Sequence, residues 1–174
     1  MGAFDVEAPN WGRIPAVRVT GAAVASADGS VMLPTDAGPL RASLHEFGAR
    51  LRLGPDARDY GILLQSPHAL PGLVESAPGV TRIVSGDRVL EIGHEPLSFV
   101  LSVAGRNVQS SPSDGHFVRR FRLPPFARVG DAWLVSVELG HDTPVYGLGE
   151  KWRRLDRRGQ LVRSYNHDAL GVNA

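Results

Sequence analysis

Residues 82–105 read RIVSGDRVLEIGHEPLSFVLSVAG. In the last nine of them Leu97, Phe99, Leu101 and Val103 fall at every second position. Successive side chains of a strand point to opposite faces, so these four share one face, and that face is apolar. The first eleven residues read as two further strands joined around Gly86 and Asp87, because both residues tolerate the backbone angles of a tight hairpin turn. The same period of two appears upstream in LHEFGARLRL, a half-buried strand in which Phe47, Ala49, Leu51 and Leu53 alternate with polar positions that include Glu46, Arg50 and Arg52. Downstream it appears in DAWLVSVELG, where Trp133, Val135, Val137 and Leu139 share a face. Another antiparallel pair is expected from VRVTGAAVAS through GSVML. No stretch keeps the three-four spacing of an amphipathic helix over three turns, and 13 prolines with 20 glycines interrupt the chain too often for one. Many short strands separated by turn signals predict an all-β fold, an antiparallel β-sandwich in preference to a barrel.

A chain of 174 residues is long enough to bury a core without disulfides or metal. With 43% hydrophobic residues, 21% charged residues and a net charge of +1, its composition is neither that of a disordered segment nor that of a general nucleic-acid binder. Cysteine is absent, which excludes a disulfide framework, a thiolate nucleophile and a cysteine-based zinc site. The amino-terminal stretch MGAFDVEAPNWGRIP lacks the basic end and apolar core of a secretory signal, and no later run is long enough to span a bilayer as a helix. The expectation is a cytoplasmic protein with no membrane partner. The composition shifts after Glu150: Lys151 to Arg163 holds six basic residues and one acid. The expected division is therefore a β-sandwich over 1–150 and an irregular basic tail over 151–174, the basic run forming a solvated or interdomain face.

Residues able to carry chemistry are scattered. His45, His68, His94, His116, His141 and His167 show no pair at metal-ligand spacing on an expected element, so no metal and no cofactor is assigned. The serines lack the glycine-flanked strand-to-helix context of a hydrolase nucleophile, and the GLG of YGLGE is too short for a phosphate-binding loop. Asp56 and Asp59 sit in GPDARDYG, where aspartates cap a turn. The basic run carries one aromatic, Trp152, and no nucleic-acid fold signature, so no nucleic-acid partner is assigned.

The most distinctive stretch is DTPVYGLGEKWRRLDRRGQLVRSYNHD, residues 142–168. VYGLGE, then a short basic segment with a glycine, then an aromatic-Asn-x-Asp element, here SYNHD, resembles the corresponding junction of glycoside hydrolase family 31. That family includes α-glucosidases and α-xylosidases. Upstream, LRLGP followed by a polar turn and RVLEIGHEPLSFVLSVAGR is similar to the passage that precedes the motif in the family. The resemblance covers about residues 40–174, and its specific part is YGLGE with the downstream Asn-x-Asp.

The resemblance implies a galactose mutarotase-like sandwich placed before a catalytic (β/α)8 barrel, which is the implied partner within the same polypeptide. It implies a retaining α-glycosidase whose nucleophile and acid/base aspartates lie on that barrel, beyond this chain. Hence no catalytic residue is assigned here; the chain looks like an amino-terminal domain that is inactive by itself. One contact transfers: the aspartate of Asn-x-Asp, Asp168, lies in the family on a loop that reaches the barrel mouth and contacts an α-linked carbohydrate, with Asn166 fixing the loop or joining the contact. A carboxylate can take charge-assisted hydrogen bonds from vicinal sugar hydroxyls. His167 departs from the basic residue usual between them. In YGLGE, Gly147 and Gly149 are expected where backbone bends or packs closely, Tyr146 and Leu148 to face the core, and Glu150 to anchor the turn. The alternatives are a stand-alone carbohydrate-binding sandwich and an aldose 1-epimerase; the latter needs a histidine and a glutamate facing one pocket, and neither His94 with Glu95 nor His116 is marked as such a pair.

Overall fold

A computed structural model of the chain describes residues 14–54, 68–112, 116–118, 121–147 and 155–159. The described elements are all strands: β1 (Val24–Ala25), β2 (Val31–Thr35), β3 (Gly38–His45), β4 (Gly48–Leu53), β5 (Leu73–Ala77), β6 (Val80–Ser85), β7 (Arg88–His94), β8 (Leu97–Val103), β9 (Arg106–Ser110), β10 (His116–Val118), β11 (Phe121–Leu123), β12 (Phe126–Val129) and β13 (Ala132–Val135). They form a four-stranded sheet in the order β1-β2-β3-β4 and a five-stranded sheet in the order β5-β6-β7-β8-β9. Two ribbons, β10-β11 and β12-β13, complete them. Every pairing is antiparallel. Among the described residues no helix is long and apolar enough to cross a membrane.

The two sheets pack face to face. From the first, Val31, Leu33, Leu40, Ala42 and Leu44 enter a common core; from the second come Ile83, Leu90, Ile92, Leu97, Phe99 and Leu101. Strand β3 lies against β6 and β7. Phe126 of β12 closes the core with its ring edge-on to Phe99, centroids 6.2 Å apart. The stretch before β1 joins the layers. The Val17 amide donates to the Phe126 carbonyl and its own carbonyl accepts from the Leu97 amide; the Val19 amide donates to the His94 carbonyl and the Thr20 amide to the Pro34 carbonyl.

The alternation that predicts the fold is realised around residues 82–105. Ser85 pairs with Arg88 across a two-residue turn whose first position, Gly86, has φ +58°. That is the region a side chain resists, so glycine suits the position. Leu97, Phe99 and Leu101 are buried together as expected. The pair predicted from VRVTGAAVAS through GSVML is β1 with β2, reduced to two residues on its first strand.

Two expectations need correction. Phe47 does not belong to the buried face: His45 pairs with Gly48, so Glu46 and Phe47 are the turn between β3 and β4, and Phe47 is 78% exposed. Its ring stacks on that of His45 at 5.5 Å, while Ala49, Leu51 and Leu53 pack against the core. In DAWLVSVELG the strand ends at Val135. Trp133 packs on the core, but Val135, Val137 and Leu139 remain about half exposed, because among the described residues β13 pairs with β12 alone and no second sheet covers that face.

The chain divides into two compact units, Met1–Glu138 and Leu139–Ala174, and all the described strands lie in the first.

Candidate functional site

Asp168, Asn166 and His167 lie outside the described residues, as do residues 148–150 of the YGLGE motif. Of that motif Tyr146 and Gly147 are described. Gly147 has φ +91° with open space where a Cβ would stand, so it serves a backbone bend rather than close packing. Tyr146 was expected to face the core and instead is 60% exposed. Among the described residues no strand forms after Val135, and the backbone of Val145 is held by a turn: its amide donates to Asp156 Oδ1 at 3.0 Å and its carbonyl accepts from the Arg157 amide at 2.7 Å. Tyr146 follows on the outside of that turn.

In the described part of the basic run Arg157 is buried, whereas Arg158 is exposed. Arg158 donates from one guanidinium nitrogen to the carbonyls of Gly140 and Thr143, both at 2.7 Å, and Asp156 Oδ1 also accepts from the Arg158 amide at 2.9 Å. The side chains of Asp156 and Arg158 thus fasten the 140–145 segment by satisfying backbone groups there. Leu155 is exposed.

A concave site lies elsewhere, on the outer face of the four-stranded sheet. Alternation along β3 sends Leu40, Ala42 and Leu44 into the core and leaves Arg41, Ser43 and His45 on the opposite face. On β4, Arg52 stands opposite Arg41 and Arg50 opposite Ser43. These five side chains line a cleft of about 590 Å³ whose walls are the 26–30 turn and the 68–72 segment. The second wall is anchored to β3 by the Leu70 amide, which donates to the Leu44 carbonyl at 2.8 Å.

Its floor is polar and closed. His45 is 3% exposed and Ser43 6%. His45 Nδ1 lies 2.9 Å from the His68 carbonyl, which only accepts, so this nitrogen carries the hydrogen and donates. In the neutral ring Nε2 then accepts from the Ser43 hydroxyl at 2.9 Å. On the rim, the Ser30 hydroxyl at 2.6 Å and the Ser30 amide at 3.0 Å hold the Asp28 carboxyl below its usual range, with Arg41 at 3.9 Å adding to the effect.

Sequence reasoning named Arg50, Arg52, His45 and His68 separately and did not join them. Extending the period of two from β4 into GPLRASLH would have set Arg41, Ser43 and His45 on one face. His94 and His141 are occupied otherwise. His94 Nε2 lies 2.9 Å from Thr81 Oγ1, while Glu95 lies 3.6 Å from the Arg18 guanidinium; His141 pairs with Asp142 in solvent. Asp56 and Asp59 lie outside the described residues. No cluster of three or more metal-ligating side chains occurs among the described residues.

Residues 43–174 match the family model described as the glycosyl hydrolase 31 N-terminal galactose mutarotase-like domain. Neither the curated proteins nor the solved structures give a significant match.

Proposed function

From the premise that this chain belongs to the family of glycosyl hydrolase 31 N-terminal galactose mutarotase-like domains, we propose that it is the non-catalytic sandwich of a retaining α-glycosidase, an α-glucosidase or α-xylosidase. In this reading it supports the catalytic barrel of the same polypeptide and lends that barrel a loop, on which Asp168 and Asn166 contact the α-linked sugar. The match over residues 43–174 carries the reading, since it spans both the YGLGE motif and the SYNHD element. One further observation supports it. In the sandwich, Val129, Val135 and Val137 are about half exposed, apolar surface of the kind a further domain covers.

Asp168→Asn in the full-length enzyme tests the sugar contact, since it removes the charge at nearly constant shape. Loss of a hydrogen bond to a charged group costs roughly 1.5–3 kcal/mol, so kcat/KM should fall about tenfold to a hundredfold while the melting temperature stays unchanged. Wild-type kinetics with a lowered melting temperature would instead make Asp168 a turn cap and end its role in binding.

A further inference from the structure

We propose that Ser43 and His45, at the floor of the cleft on the outer face of the four-stranded sheet, act as nucleophile and general base in the hydrolysis of a short carboxylic ester. This goes beyond the reading above and does not rest on it. The order of the hydrogen bonds is the first argument. His45 Nδ1 donates to the His68 carbonyl at 2.9 Å, and a carbonyl only accepts, so the neutral ring carries its hydrogen there and keeps a lone pair at Nε2. The Ser43 hydroxyl donates to that Nε2 at 2.9 Å. Nucleophile, base and orienting group thus stand in series, with a main-chain carbonyl in the place that a carboxylate takes in a Ser-His-Asp triad. No sequence motif marks the series, because Ser43 sits within a strand and the carbonyl comes from the separate 68–72 segment.

The second argument is position. Leu40, Ala42 and Leu44 of β3 enter the core, so Ser43 and His45 face the cleft, and both line it. Their low exposure keeps most water from the bond between them, which strengthens it. Arg50 stands directly opposite Ser43 on β4 and lines the same cleft, so its guanidinium is a donor for the oxyanion of a tetrahedral intermediate. In the reaction Ser43 Oγ bonds to the ester carbonyl carbon while its proton passes to His45 Nε2. The bond from that carbon to the alcohol oxygen then breaks, and His45 returns the proton to the departing alcohol. Water repeats the two steps on the acylated Ser43, which releases the carboxylic acid and restores both side chains.

The test uses the whole chain with two probes, an alkyl fluorophosphonate and 4-nitrophenyl acetate. The fluorophosphonate reports an activated serine, since Oγ bonds to phosphorus as fluoride leaves with the electron pair and His45 takes the proton. Wild type, Ser43→Ala, His45→Gln and Ser102→Ala are compared; Ser102 lies on β8 of the other sheet and serves as the control. The expected result is a single phosphonate adduct in the wild type and Ser102→Ala, mapped to Ser43 by peptide mass spectrometry and absent from Ser43→Ala. His45→Gln should label about a hundredfold to ten-thousandfold more slowly, the usual worth of a general base. Acetate release should follow the same order, the turnover left in Ser43→Ala being that of the exposed histidines. Because His45 is buried, its variant is first checked by circular dichroism. If it does not fold, the adduct map of the wild type and Ser43→Ala decides alone. No adduct on Ser43 after overnight exposure, or equal labelling and ester turnover by wild type and Ser43→Ala, would overturn the proposal.

Discussion

Ser30 shows how one buried hydroxyl governs the charge of a neighbour. It is 4% exposed, and its hydroxyl and amide both donate to Asp28 Oδ1. These bonds favour the ionised carboxylate and so lower its folded-state value below the ordinary 3.8. A depressed carboxylate contributes stability that is fully present above its unfolded value and is lost as pH falls through the folded one. Ser30→Ala removes the larger of the two bonds. The stability difference between wild type and Ser30→Ala should therefore be constant above pH 3.8 and shrink below it. The effect stays small, because the Asp28 side chain is 59% exposed and water screens it. Melting curves of both proteins across the acid range, with the Asp28 titration followed by NMR, check this. An unchanged Asp28 titration in Ser30→Ala would show that the hydroxyl is not the cause.

Among the elements, β7 is central in its sheet and β9 is at an edge. Leu90 on β7 is fully buried, whereas Val108 on β9 is 54% exposed. Truncating Leu90 removes its transfer free energy and leaves a cavity, so Leu90→Ala should cost about 2–5 kcal/mol. Val108→Ala should fall within about 0.5 kcal/mol of the wild type. Urea unfolding of the two variants gives both values, and similar costs would contradict the strand order. Element by element, legibility tracks the number of neighbours. Strands β6, β7 and β8 were readable because each is paired on both sides with one face on the core, so burial and alternation coincide. The apolar period ran on through Phe47 because HEFG carries no Asn-Gly or Asp-Gly turn signal, and an apolar residue in a turn breaks the usual correlation. It ran on through Val137 and Leu139 because alternation reports a potential face, and only a covering layer makes that face buried.

At the scale of the whole molecule, legibility divides between fold and site. Asp168 and Asn166 were reachable only through the resemblance of SYNHD to a family, since neither spacing nor composition marks them. The arginine cleft was out of reach for a different reason: its walls come from separate stretches, the 26–30 turn, β3, β4 and the 68–72 segment, which only the tertiary fold brings together. The core, by contrast, draws on both sheets at once, and this has a thermodynamic consequence. Leu44 from β3 and Leu90 from β7 belong to one cluster, and the Val17–Thr20 stretch is hydrogen-bonded to elements of both layers. Neither sheet can keep its apolar face covered when the other melts. The sandwich should therefore unfold as one unit, as small single domains do. Leu44→Ala and Leu90→Ala damage different sheets, yet each should lower the same midpoint by a loss of about 2–5 kcal/mol, leaving the denaturant slope unchanged. Urea unfolding followed by the β-sheet circular dichroism signal decides it. If the layers were separable, Leu44→Ala would split the curve, one step moving with the four-stranded sheet and the other staying at the wild-type midpoint. Such a biphasic curve in either variant would refute the shared core.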